Sequence, residues 1–137
     1  MSGVAVVRYL QANDAGVIAV VPAARIFAGV IPEGTAGTAL PALGTSTIDS
    51  VERRTVSMAG TTKLRTERVQ TDILAATYAQ KKSLVELVRA ACANRHGTVN
   101  GIDVDSILPA GEGPDDDDPA AVIYSCSIDF LVRWRSS

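Results

Sequence analysis

The stretch AAVIYSCSIDFLVRWR, residues 120–135, decides the fold. Val122, Tyr124, Cys126, Ile128, Phe130, Val132 and Trp134 fall on one face of an extended strand, and Ile123, Ser125, Ser127, Asp129, Leu131, Arg133 and Arg135 fall on the other. A period of two held over this length predicts a long antiparallel strand with one buried face, since successive side chains alternate across a sheet. Ile123 and Leu131 keep the second face from being wholly polar. Everything upstream has to supply neighbours for this strand and a cover for its apolar side.

The chain has 137 residues, enough for a single domain with its own core, and the whole of 1–137 is read as one domain. Apolar residues make up 47% and charged residues 20%, which excludes a disordered chain. Aromatics are only 4%, so Val, Ile, Leu and Ala must fill the core. A net charge of −2 argues against a dedicated duplex-DNA binder, which needs an excess of Lys and Arg to neutralise phosphates. AGVIAVVPAA, residues 15–24, is too short to span a bilayer and lacks the basic leader of an export signal, so the expectation is no membrane and a cytoplasmic site of synthesis. Cys92 and Cys126, with no CxxC and one histidine, suggest neither zinc nor a disulfide framework; both are read as small buried hydrophobes.

Along the chain, GVAVVRYLQAN predicts a helix with Val4, Val7, Tyr9 and Leu10 near one face, and Asp14 caps a second short helix ended by Pro22. Arg25–Phe27 extends briefly. Residues 29–41, rich in Pro and Gly, mark a loop. Two strands are expected next, at Pro41–Ile48 and Val51–Met58, punctuated by Asp49-Ser50, then a third at Lys63–Ala75 whose apolar residues change face partway, as a bulge would require. Thr77 with Gln80 has the form of a capping box opening a helix to about Asn94, with Leu84, Leu87, Val88, Ala91 and Cys92 inward, Lys81, Lys82, Glu86 and Arg89 in water, and Gly97 as the stop. Asn100-Gly101 signals a two-residue hairpin into a strand at Ile102–Leu108, followed by the acidic loop PAGEGPDDDDP, residues 109–119. The fold class is α+β: a mostly antiparallel β-sheet packed by a long amphipathic helix and a short N-terminal helical region.

Chemistry is sparse in this pattern. Asp115–Asp118 are four consecutive carboxylates, whereas cation loops space theirs and place a glycine between. They read as a solvated loop tip, ahead of a weak divalent-cation contact or a charged docking surface. His96 sits at a helix end, where an imidazole is common. No nucleophile stands beside a base and no phosphate or dinucleotide loop occurs, so no catalytic residue, metal ligand or cofactor is expected and the chain is expected not to be an enzyme. Arg53, Arg54, Lys63, Arg65 and Arg68 crowd two consecutive strands. If those strands pair they form either a solvated face or a basic strip that meets an acidic protein patch or nucleic acid.

Taken in order, several segments resemble the tail completion, or tail terminator (head–tail joining), proteins of long-tailed bacteriophages. They are the N-terminal helices, ARIFAGVIPEG at 24–34, the PAL that opens a strand, RVQTDILAATYAQKKSLVELVRAA at 68–91, and the closing SIDFLVRW at 127–134. The GTAGTAL loop and the PDDDDP insertion depart from that pattern. The resemblance implies a ring, typically a hexamer, that caps the tail tube, ends its polymerisation and presents a surface to the head connector. The implied partners are further copies of the chain, the major tail tube protein, the head connector or neck protein, and phage DNA in transient contact. The implied location is the head–tail junction of the virion, after assembly in the host cytoplasm, and no cofactor is implied. Residues 29–40 and the hairpin 51–68 are the contact candidates, with Arg53, Arg54, Lys63 and Arg65 at an interface or lumen. The rival reading is a stand-alone nucleic-acid-binding module using basic strands 51–68, against which stands their lack of aromatics for base stacking.

Overall fold

The computed structural model describes residues 3–29, 41–54, 63–118 and 123–136; the side chains at 52–54, 63, 116, 118 and 136 lie outside that description. The elements are α1 (Gly3–Ala12), α2 (Ala15–Ile18), a 3-10 turn (Ala23–Arg25), β1 (Ile26–Ala28), β2 (Ala42–Arg54), β3 (Lys63–Ala75), α3 (Tyr78–Cys92), β4 (Gly97–Val99), β5 (Ile102–Glu112), β6 (Asp116–Asp118) and β7 (Ile123–Ser136). This is an α+β architecture on one sheet, ordered β1-β2-β3-β7-β5-β4, with β6 also on β7. Every pairing is antiparallel except β1 with β2.

The closing strand does what its alternation requires. β7 lies inside the sheet, with β3 along one edge from Tyr124 to Ser136 and β5 followed by β6 along the other. Cys126, Ile128, Phe130, Val132 and Trp134 are buried, while Arg133 and Arg135 are exposed. α1 supplies Val6 and Val7, and α3 supplies Leu84, Val85, Val88, Ala91 and Cys92, to one core with the inward residues of β3 and β7. Because α1 touches β1, β2, β3, β4 and β7, the sheet curls around it, and both sheet edges come to the same helix.

Several expectations are corrected. The two strands placed at 41–48 and 51–58 are one: β2 runs through Asp49-Ser50, and the extra residue there is a bulge at Ile48, between the pairs Thr47↔Val69 and Asp49↔Arg68. Residues 55–58 lie outside the described part. β3 itself pairs with β7 without a shift. Its inward face continues as Glu67, Val69, Thr71, Ile73 and Ala75, so the apparent change of face reflects a buried glutamate rather than a slip. β5 does not end at Leu108 but carries Pro109 to Glu112, with irregularities between Val104/Ser106 and Pro109/Gly111; the first turns Ile107 inward after Ile102 and Val104. Pro109 is tolerated because β4 covers only Ile102–Val104, which leaves its side of the strand at an edge. α3 has 15 residues, an ordinary helix rather than a long one. It stops at Cys92, and the residue of positive φ just beyond it is Asn94 (60°); Gly97, also at positive φ (96°), opens β4 instead of ending the helix. On α1 the buried set is Gly3, Val6, Val7 and Gln11, and Tyr9 is exposed. The Asn100-Gly101 hairpin forms as expected, both residues at positive φ (52° and 76°).

Two buried polar clusters tie helix to sheet. Gln11 Nε2 donates to Thr71 Oγ1 (3.0 Å), and Thr71 Oγ1 lies 3.1 Å from Thr45 Oγ1 on the paired residue of β2. The Glu67 carboxylate accepts from Trp134 Nε1 (3.1 Å) and from the backbone N–H of Gly3 (2.9 Å), the first residue of α1, where the helix presents unpaired donors and partial positive charge. The approach requires glycine, because a β-carbon at Gly3 would stand 2.8 Å from Glu67 Oε2. Glu67→Ala leaves two N–H donors without their acceptor in a buried site, and is expected to cost about 2–4 kcal/mol in urea unfolding, well above a typical surface substitution. An equilibrium stability within about 0.5 kcal/mol of wild type would refute this role for the carboxylate.

Candidate functional site

The basic strands pair as a hairpin: Arg54 stands opposite Lys63, Arg53 opposite Leu64, and Glu52 opposite Arg65. The side chains of Arg53, Arg54 and Lys63 lie outside the described part. Arg65 and Arg68, three apart on a strand, take opposite faces. Arg65 is on the helix side, with its guanidinium carbon 5.7 Å from the centre of the Trp134 ring, a cation–π distance. Arg68 is on the far side and bridges Asp129 (2.8 Å), while Arg135 reaches Asp105 (3.4 Å). Carboxylates of β5 and β7 therefore answer part of the basic charge. That far face is open and carries exposed Val51 and Leu108, and a hollow of about 380 Å³ lined by Val51, Leu64, Thr66, Asp105 and Arg133. β1 covers β2 only at Leu43–Thr45, so the β2 edge from Ser46 onward has no neighbouring strand among the described residues.

The acidic run is not a solvated tip. β5 and β6 follow one line along β7, interrupted at Gly113–Asp115, and Asp116–Asp118 pair with Ser125, Tyr124 and Ile123. Residues two apart in an extended chain point the same way, and Asp115 and Asp117 both point at α3. Lys81 Nζ donates to Asp115 Oδ1 (2.8 Å) and Asp117 Oδ1 (2.7 Å), and lies 4.5 Å from the Tyr78 ring centre. Lys82 Nζ reaches Asp115 Oδ1 as well (3.2 Å), and Arg89 bridges Glu112 one helical stripe further on. Lys81, expected in water, has a side chain with no exposed surface. Its position is in phase with Leu84, Val85, Val88, Ala91 and Cys92, a signal present in the sequence that its charge concealed. The cover over it is thin, supplied by the acidic segment rather than by the core. Among the described residues, no three of His, Cys, Asp and Glu stand where they could hold a metal ion.

Burial by itself would lower the Lys81 ammonium, but the hydrogen bonds and charges of Asp115 and Asp117 outweigh it and the pKa is raised. The Asp115 carboxyl is held below its ordinary value by hydrogen bonds from Lys81 and then Lys82. Cys92 and Cys126 are free thiols; burial pushes Cys92 up to about 12 and Cys126 upward, which suits inert packing groups.

A chain in the solved structure "Virion of native gene transfer agent (GTA) particle" superposes on this one with a TM-score of 0.69, covering 98% of this chain and 96% of that one. The same fold stands in a virion. Identity is 12%, so the likeness is one of architecture. No family model matches the chain, and no curated protein matches it.

The lysine clamp makes the acidic segment pH-dependent in a defined window. Asp115 has a depressed folded pKa, so its contribution is present above the ordinary 3.8 and is lost as pH falls through the folded value. Lys81 has a raised one, so its contribution is present below 10.5 and is lost as pH rises through the folded value. The protection of the Asp115–Asp118 amides, exchange divided by its intrinsic rate at each pH, is expected to be level across the neutral range, then to fall below pH 3.8 before the β3–β7 ladder opens. Simultaneous opening of both would show that the clamp has no separate effect.

Proposed function

We propose that this chain is a structural protein of a phage-like virion, not an enzyme, and that it acts at the head–tail junction as a ring of its own copies. The ring, a hexamer in this reading, caps the tail tube, ends its polymerisation and offers its other side to the head connector or neck protein. The single observation that carries the virion reading is the likeness to a chain of a gene transfer agent virion over nearly the full length of both compared chains. The sequence resemblance to tail completion proteins supplies the finer placement.

The surfaces suit that work. A closed ring joins each subunit through two different patches, so an unpaired strand edge on one copy can be covered by the next. β2 from Ser46 provides such an edge, with Ile48 and Val51 exposed along it. The same hairpin ends in Arg53, Arg54 and Lys63, and Arg65 stands at its base against Trp134. Placed at a lumen, these cations would attract DNA without reading sequence, since phosphate contacts carry no base information. A stand-alone single-strand binder is the weaker reading: Trp134 is buried with its indole N–H engaged, and stacking needs exposed rings beside the charges.

Light scattering on the purified chain with isolated tail tubes, followed by electron microscopy, tests the assignment. Rings seated at tube ends are expected. Particles made without the chain should show tubes of uncontrolled length and unjoined capsids; normal tubes and joined capsids would overturn the proposal. The triple variant R53E/R54E/K63E is expected to keep its melting temperature within a few degrees while reducing the yield of joined, DNA-filled particles at least about tenfold, a loss of some 1.4 kcal/mol if read as an equilibrium. Unchanged yield would remove these residues from the interface or lumen.

A further inference from the structure

We propose that β6 is a displaceable strand, and that the place it occupies is a binding site for an extended segment of a partner protein bearing carboxylates two residues apart. The inference needs only the isolated fold and holds whether or not the virion reading does.

Four consecutive aspartates make a poor strand, because aspartate is depleted in sheets and neighbouring like charges repel. β6 nevertheless pairs with Ile123–Ser125 of β7 over three residues, and the line of strand breaks just before it at Gly113–Asp115. What holds it is charge. Asp115 and Asp117 meet Lys81, and Asp115 also meets Lys82. Remove the segment and two things are uncovered together: the edge of β7 at Ile123–Ser125, with backbone groups ready to pair, and a lysine that the fold otherwise leaves no surface. An incoming strand that covers Lys81 again without supplying counter-charge buries a lone ammonium, which is costly, so the vacated site discriminates among strands. An apolar or basic segment could satisfy the edge but not Lys81; one with carboxylates at alternate positions satisfies both, as Asp115 and Asp117 do now. Tyr78, whose ring lies 4.5 Å from Lys81 and 5.3 Å from Lys82, forms the outer wall. Strand addition of this kind gains affinity from the backbone and specificity from alternate side chains.

The resident strand competes at the high effective concentration of a tethered segment, of order millimolar, so exchange is best seen with the tether weakened. The variant D115N/D117N is expected to keep the fold, to raise amide exchange at Ile123–Ser125 at least about tenfold relative to Ile128–Val132, and to recover protection and gain thermal stability when a capped strand peptide with two alternate aspartates is added. The same peptide with asparagines should do neither, and adding Lys81→Met to the variant should abolish the response. Native-state exchange of the unmodified chain gives a second reading that depends on no variant: β6 and Ile123–Ser125 should open by a sub-global route while β3 and the rest of β7 stay closed. The proposal is overturned if those amides open only with the whole sheet, if the asparagine peptide protects as well as the aspartate one, or if the variant protects the site by concentration-dependent self-association without any peptide.

Discussion

The strands of this protein are longer than the helices that cover them, and the rest of the structure follows from that mismatch. Thirteen residues of β3 extend about 43 Å, whereas the ten residues of α1 and fifteen of α3 reach only about 15 and 22 Å. One sheet face can therefore be sealed only along part of its length. The sheet responds by curling around α1, bringing β1 and β4 to the same helix from opposite ends of the strand order. Where the helices end, the chain places groups that can close an apolar layer against water. At the start of α1 this is Glu67, which gathers the N–H of Gly3 and the indole of Trp134, with Arg65 stacked outside. At the start of α3 it is Lys81 under Asp115 and Asp117.

The two closures use opposite electrostatics. A carboxylate serves at the N-terminus of α1, where helix donors are unpaired and the partial charge is positive. At α3 the fourth and fifth residues are lysines, and a cation near a helix N-terminus is unfavourable unless carboxylates are brought to it. The acidic segment does so. Its charges are thus part of the packing of α3 against β7, not a separate surface feature, although Asp115 keeps 40% of its side-chain surface in water and the clamp is correspondingly screened. The hairpin of β2 and β3, by contrast, continues beyond Glu67 to the pair Arg54 and Lys63.

The alternation of residues 123–135 was enough to foresee a long strand with Cys126, Ile128, Phe130, Val132 and Trp134 inward, because period two has only one way to bury an apolar face. The helix after Thr77, the Asp14 cap and the Asn-Gly turn were readable for the same kind of reason: each is a local preference of the backbone, and Asp14 Oδ2 and Thr77 Oγ1 do accept from Val17 and Gln80. Local signals misled where a polar residue was buried. Glu67 looked like a change of face in β3, and Lys81 like the water side of α3, because charge argues for solvent unless its partner is known.

Sequence by itself determined the α+β class, the main strands and helices, and which side of β7 is apolar, since these rest on spacing within a dozen residues. It left the pairing of Glu67 with Trp134 and of Lys81 with Asp115 and Asp117 to the folded chain, because those partners are 67, 34 and 36 residues apart. Tertiary structure alone decided that Asp49-Ser50 would stay paired within one strand, just after a bulge at Ile48, and that the acidic run would be drawn into the sheet. In both cases the deciding energy comes from neighbours that are remote in sequence: the uninterrupted edge of β3 for the first, and the Lys81 ammonium beside the edge of β7 for the second.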